Sequence, residues 1–185
     1  MTLKQRFFKF LFTKVWGWKL VGDFPMDQKK FIITVAPHTS FWDFPLGIMF
    51  RNWYGVDIRF VIKASFFKNP VVGAVTKWLG GIPVNRSKAN NFVSAVAQIF
   101  NERDSLIICI TPEGTRKKVV KFKSGFYYIA KRADVPVLPV VFDFEKKEMQ
   151  LAELMYMGDD PEVEIERLQA VYRGVKGKYP EKSFN

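Results

Sequence analysis

A chain of 185 residues with 48% hydrophobic and 25% charged residues is globular and long enough for one substantial core, which excludes a disordered or fibrous polypeptide. Its 29 lysines and arginines against 18 acids give a net charge of +11, a field that favours anionic partners: nucleic acid, lipid headgroups, acidic carrier proteins or phosphorylated substrates. One cysteine excludes an intrachain disulfide, and one cysteine with one histidine supplies no zinc ligand set, so no metal site and no cofactor are expected.

Residues 2–21 combine cations and aromatics with no acid. Leu3, Phe7, Leu11, Val15 and Trp18 fall on one stripe of a helix, with Arg6, Lys9 and Thr13 opposite. Lys4 and Lys14 lie in or beside the stripe, from where long side chains reach water. With Trp16 and Trp18 at headgroup depth, this reads as a helix lying in a membrane interface; the alternative packs the same helix on the protein's own core. No run approaches the roughly 18 apolar residues of a membrane span. Lys9, Lys14 and Lys19 also interrupt any signal-peptide core, so a cytoplasmic protein is expected. The expected division is a basic amphipathic docking helix over residues 1–22 and one domain over 23–185.

Residues 31–35 are an apolar, β-branched run between Lys29-Lys30 and Pro37, a buried strand; Phe44, Leu46, Ile48 and Met49 then mark a short helix to Asn52. Residues 59–64 read as a second strand. Asn69-Pro70 opens a helix in the N-cap, N1 manner, with Val71, Val72, Val75, Trp78 and Leu79 as its apolar positions and Gly80-Gly81 as its stop. A short strand, 82–84, runs into Asn85-Arg86-Ser87, and Phe92, Val93, Val96, Ile99 and Phe100 mark an amphipathic helix. Residues 106–110 are a third apolar strand with Cys109 as a small buried residue, followed by Thr111-Pro112-Glu113-Gly114-Thr115-Arg116 and a helix over 124–132. Pro136 and Pro139 argue that the strand over 135–141 is an edge or starts irregularly. Residues 148–157 are strand or helix, Asp160-Pro161 opens a last helix, and the chain from Lys176 is expected to fray. Strands alternate with helices throughout. The fold class is α/β: a single domain with a mostly parallel mixed sheet flanked by helices.

In such sheets functional residues collect where strands end and helices begin. His38 is the only histidine and stands at a strand end. Asp43 follows five residues later. On one unbroken helix these positions point about 140° apart, but a turn between them lets them meet. A carboxylate that accepts one imidazole N–H leaves the other nitrogen free as a base. Asp43 can equally cap the helix start, with Ser40 in the manner of a capping box. Gly114 lets a ligand approach the backbone, while Arg86 and Arg116 suit bidentate phosphate contacts. Seven basic residues from Arg116 to Arg132, with no acid among them, extend the positive surface. Glu113 can serve the site or simply pair with Arg116 or Arg86.

His38-x4-Asp43, Gly80-Gly81-Ile82-Pro83-Val84-Asn85-Arg86, Pro112-Glu113-Gly114-Thr115-Arg116 and Val135-Pro136-Val137-Leu138-Pro139-Val140 resemble, in order, the four blocks of the glycerophospholipid acyltransferases. The closest type is the 1-acylglycerol-3-phosphate (lysophosphatidic acid) acyltransferase, and the resemblance covers about residues 31–142. It implies His38 as catalytic base and Asp43 as its orienting partner. It further implies Gly81, Arg86, Glu113, Gly114, Thr115 and Arg116 around the acceptor and its phosphate, and Pro136 and Pro139 on the acyl-donor side. The implied partners are an acyl-CoA or acyl-carrier-protein donor, a lysophospholipid acceptor and an anionic membrane surface, with the protein peripheral on the inner face of the cytoplasmic membrane. Pro37, Pro83, Asn85 and Thr111 depart from the family pattern, and the second-block changes bear on which acceptor is used. The rival readings are an acyltransferase for another lyso-acceptor such as an aminolipid, a non-catalytic anionic-lipid-binding module, and a nucleic-acid binder. The last lacks any RRM, KH or zinc signature, so no nucleic-acid partner is expected.

Overall fold

The computed structural model describes residues 1–85 and 89–184. Its sheet is built outward from β2 (Lys30–Ala36), buried at every position after the first. β2 is flanked by β5 (Leu106–Ile110) and β6 (Val137–Asp143), both parallel to it. β3 (Ile58–Lys63) continues the parallel arrangement beside β5 and carries β4 (Gly81–Val84) at the sheet edge. On the other side β7 (Glu148–Leu151) runs antiparallel to β6, and β1 (Lys19–Val21) pairs parallel with β7. The order is β1-β7-β6-β2-β5-β3-β4, the mixed, mostly parallel sheet expected.

Parallel neighbours need crossovers, and these are α2 (Asp43–Tyr54), α3 (Pro70–Trp78), α4 (Ala89–Asn101) and α5 (Gly125–Ala133). One sheet face packs Phe31, Ile33 and Val35 against Leu46, Met49 and Phe50 of α2. The other packs Ile32, Ile108 and Val137 against Phe100, Phe126, Ile129 and, from α6 (Pro161–Tyr172), Leu168. Burial on both faces is why β2 and β5 read as unbroken apolar runs. Asn69 and Asp160 cap α3 and α6 as their Asn-Pro and Asp-Pro pairs predict.

Three expectations are corrected, and α3 packs in a way that the sequence left open. The N-terminal helix does not reach Trp18. α1 (Leu3–Phe10) passes into a π-turn at Leu11–Val15, and Gly17, at φ +70, turns the chain into β1. Trp18 therefore leaves the predicted stripe and is buried edge-on against Phe144, 4.9 Å between ring centres. Phe12, outside that stripe, is the fully buried N-terminal residue, while Leu3, Phe7 and Val15 face outward.

α3 is inverted relative to a helix packed through its apolar residues. Only Gly73 and Thr76 are buried, because small side chains are what fit against Phe67 and Gly81. β6 is an interior strand, not an edge. Pro139 is tolerated there because β7 ends at Leu151, and the chain beside it bulges between the Ala152 N–H donating to the Pro139 carbonyl and the Met155–Val137 bridge. The C-terminal tail is docked, with Phe184 buried and its ring 4.6 Å from that of Phe122. Among the described residues no helix is long and apolar enough to cross a membrane.

Candidate active site

The five parallel strands end at one edge of the sheet, and the segments leaving β2 and β5 meet there. After Ala36 the chain turns through Thr39 and Ser40, both buried, before α2 starts. The turn returns Asp43 to His38: Asp43 Oδ2 lies 2.9 Å from His38 Nδ1. A buried carboxylate accepts, so Nδ1 carries the proton and Nε2 is left as a base on a side chain 18% exposed. The same oxygen accepts the Ser40 N–H at 3.2 Å, and Ser40 Oγ accepts the Trp42 N–H at 3.2 Å. Asp43 thus ties the turn to the His38 ring, and it does not cap α2, whose first residues have no side-chain cap. Its other oxygen, Oδ1, is buried without a hydrogen-bond partner among the described residues.

Glu113 reaches the site from β5. A turn closed by the Gly114 N–H on the Thr111 carbonyl, 3.0 Å, needs the left-handed φ of +64 at Gly114. Glu113, 2% exposed, pairs with no arginine among the described residues; its Oε2 accepts the His38 backbone N–H at 2.7 Å. Burial pushes its carboxyl up to about 7; the His38 N–H lowers it in part and the Asp43 charge raises it. Glu113 therefore grips the main chain that carries the base.

Beyond Gly114 the edge is cationic. Arg116 is exposed and unpaired among the described residues, and Thr115 Oγ1 accepts the Lys117 N–H at 3.2 Å. Lys123, which sequence reasoning missed, has its N–H on the Pro112 carbonyl and its side chain across Gly114, where an added Cβ would stand 2.8 Å from Nζ. Arg86 lies outside the described residues.

Three expected site residues are not brought here. Gly81 opens β4 at the end away from the site, about 10 Å from Val84 along the strand. It is a packing glycine whose Cβ would meet Thr76 Cγ2 at 2.5 Å. Pro136 precedes β6, its carbonyl accepting the Ile32 N–H, and Pro139 pairs with Thr34 inside the sheet; both are buried.

The tail braces the site from behind, which no local signal foretold. Tyr172 of α6 is buried, and its hydroxyl donates to the Thr34 carbonyl at 2.7 Å. The Tyr179 N–H donates to Thr39 Oγ1 at 3.1 Å, and Gly177 sits so close to Pro37 and Thr39 that any side chain there would collide. Between this tail and the N-terminal segment is an open cleft of about 620 Å³, lined by Trp16, Trp18, Trp42, Phe144, Lys147 and Lys178 among others. Trp42, the residue before α2, connects the cleft to the His38 turn. Cys109 is half-buried, not fully buried as expected, and desolvation pushes its thiol up to about 12. An imidazole base with an oriented tautomer, beside a backbone turn and a cationic rim, is equipped to deprotonate a hydroxyl on an anionic molecule.

A family model described as Acyltransferase matches residues 19–143. The 1-acyl-sn-glycerol-3-phosphate acyltransferase of Haemophilus influenzae is 34% identical over 137 residues, 69% of this chain and 55% of that protein. Its counterpart from Salmonella typhimurium is 34% identical over 148 residues, 76% and 59% of the two chains. The chain thus spans little more than half the length of these relatives. The crystal structure of the 1-acyl-sn-glycerophosphate (LPA) acyltransferase PlsC from Thermotoga maritima has a TM-score of 0.61 at 22% identity, covering 90% of this chain and 74% of that one, a likeness of fold.

Proposed function

Because the chain belongs to the acyltransferase family, we propose that it moves a fatty acyl chain from a thioester donor, acyl-CoA or acyl-carrier protein, to the hydroxyl of 1-acyl-sn-glycerol-3-phosphate. The observation that carries this reading is the His38–Asp43 pair, 2.9 Å apart at the strand edge, with no hydrogen bond to Nε2 among the described residues. Nε2 takes the acceptor's hydroxyl proton as that oxygen attacks the thioester carbonyl. The C–S bond then breaks, and the departing thiolate takes the proton back from His38, so no acyl-enzyme forms. The raised Cys109 thiol and the engaged Ser40 hydroxyl agree with direct transfer. Arg116 and Lys123, with Arg86 by resemblance, hold the acceptor's phosphate, and Glu113 positions the turn that carries the base. The aromatic cleft beside Trp42 suits an acyl chain. The exposed face of α1 (Phe7, Phe10), with Arg6, Lys9 and Lys14, docks the protein peripherally on the inner face of the cytoplasmic membrane.

The deciding assay uses the full chain with acyl-CoA and acyl-carrier donors and a panel of lyso-acceptors, with products resolved by mass. Transfer to 1-acyl-sn-glycerol-3-phosphate, and not to its dephosphorylated analogue, is expected. Equal use of both would reject the phosphate site, and no transfer to any acceptor would reject the enzyme reading.

A further inference from the structure

The apolar side of α3 faces outward, and nothing in the site accounts for it. Of nine residues only Gly73 and Thr76 are buried; Val71 is 71% exposed, Val75 51% and Trp78 80%, with Phe66 of the preceding 3₁₀ turn at 49%. Val71, Val75 and Trp78 recur at i, i+4 and i+7, one stripe of a helix. A tryptophan and two valines in line on a helix surface form an apolar patch that demands a partner.

Two features identify what covers it. The first is geometry. Thr76 of α3 and the Phe60 ring both crowd the face of Gly81 where a side chain would stand, and the Phe60 ring meets Phe44 of α2 at 5.4 Å, so α3 lies on the same side of the sheet as α2. The N-terminal segment packs there too, with Phe12 against Trp53 of α2 at 5.4 Å. α1 and α3 thus flank α2 on one side of the sheet. Both expose apolar stripes, and at the start of α2 Phe41 and Trp42 are exposed next to the His38 turn.

The second is charge. Residues 1–101, which carry α1, α2 and α3, hold fourteen lysines and arginines against four acids, while residues 102–185 hold fifteen against fourteen. Of the four acids Asp43 is buried and Asp57 is paired with Arg51 and Arg59. Between Asp57 and Glu102 there is no acid at all, and Lys68 and Lys77 bracket the α3 stripe. Tryptophan and aliphatic side chains ringed by lysines, with carboxylates absent, complement an anionic bilayer surface.

We propose that α3 is a second membrane contact. Val71, Val75, Trp78 and Phe66 enter the headgroup region of an anionic bilayer together with α1, so that the face carrying α1, α2 and α3 lies on the lipid with the start of α3 nearest the His38 site. This rests on the reading of the acceptor as a lipid: a lysolipid then reaches His38 past Phe41 and Trp42 without crossing bulk water.

The test uses the full chain and vesicles of phosphatidylcholine with or without about a quarter phosphatidylglycerol. Val75→Ser with Trp78→Ser alters only exposed positions, so circular dichroism and melting temperature should match wild type. Co-sedimentation with the anionic vesicles should fall by about tenfold or more. Trp78→Phe should remove part of the fluorescence quenching produced by brominated lipids. Acyl transfer to an acceptor carried in vesicles should fall, while transfer to a short-chain monomeric acceptor stays unchanged. If wild type transfers no acyl group at all, the acyltransferase reading fails, and vesicle partitioning still decides this surface. Unchanged partitioning of the double variant, quenching equal to wild type in Trp78→Phe, or a dimer in sedimentation velocity that the substitutions dissociate would each overturn the proposal.

Discussion

His38, Asp43 and Glu113 depend on one another through single atoms, so their substitutions should be non-additive. His38→Ala should lower kcat by about 10²–10⁴-fold with binding of both substrates largely kept. Asp43→Asn should be similarly severe, because the buried pocket then either turns an amide N–H toward Nδ1 and selects the wrong tautomer, or leaves that amide unpaired at the site of Oδ1. The double variant should lose little beyond the worse single change. A folded His38→Ala protein with near-normal turnover would end the general-base mechanism.

Glu113 makes a separate prediction about stability. Its carboxyl stands at about 7 in the fold against 4.5 ordinarily, so the unfolded chain ionises first as pH rises. The stabilising contribution of the neutral form is full below pH 4.5 and is lost progressively up to about 7, at a cost of roughly 3 kcal/mol. Glu113→Gln keeps an acceptor for the His38 N–H and cannot ionise. Its melting temperature relative to wild type should therefore rise between pH 5 and 8. Parallel profiles for the two proteins would show that Glu113 is not the group responsible.

At the scale of elements, α1 and α3 are helices whose apolar residues are visible in sequence but whose orientation is not. In α1 and the π-turn after it, Phe12 faces the core and Phe7 faces out. Phe12→Ala should cost about 3–5 kcal/mol in urea denaturation, whereas Phe7→Ser should leave stability nearly unchanged and weaken binding to anionic vesicles. Deletion of residues 2–20 would confound the two roles by stripping Phe12 and Trp18 from the core. If Phe7→Ser destabilised as much as Phe12→Ala, the outward face of α1 would be structural.

At the scale of the whole fold, residues 176–184 close the core. Phe184 seals the core on Phe122, and the preceding segment lies against Thr39 and Pro37, behind the His38 turn. Truncation after Val175 should lower both the melting temperature and kcat. Phe184→Ala alone should cost about 3 kcal/mol and spare kcat more than the truncation does, because the Tyr179–Thr39 contact survives. Equal kcat in the truncated chain would show that the tail supports folding only.

The sequence by itself determined β2 to β6 and the crossover helices, and it placed His38 and Asp43 one turn apart; β1 and the choice of strand at β7 it did not settle. Those features are written locally: β2 and β5 are continuous apolar runs, Asn69-Pro70 and Asp160-Pro161 are cap chemistry, and His38 and Asp43 are one turn apart. Only the tertiary structure decided the rest. Periodicity shows that a helix has an apolar side and is silent on what that side faces, which is how α3 came to present Trp78 to the outside while burying Gly73. Pro139 is acceptable in an interior strand only because β7 stops beside it. Glu113 takes a main-chain N–H 75 positions away in place of an arginine, and Thr39 meets Tyr179 across 140 positions. Contacts of that range leave no trace in spacing or composition, since they form only after the sheet order has brought the strand ends together.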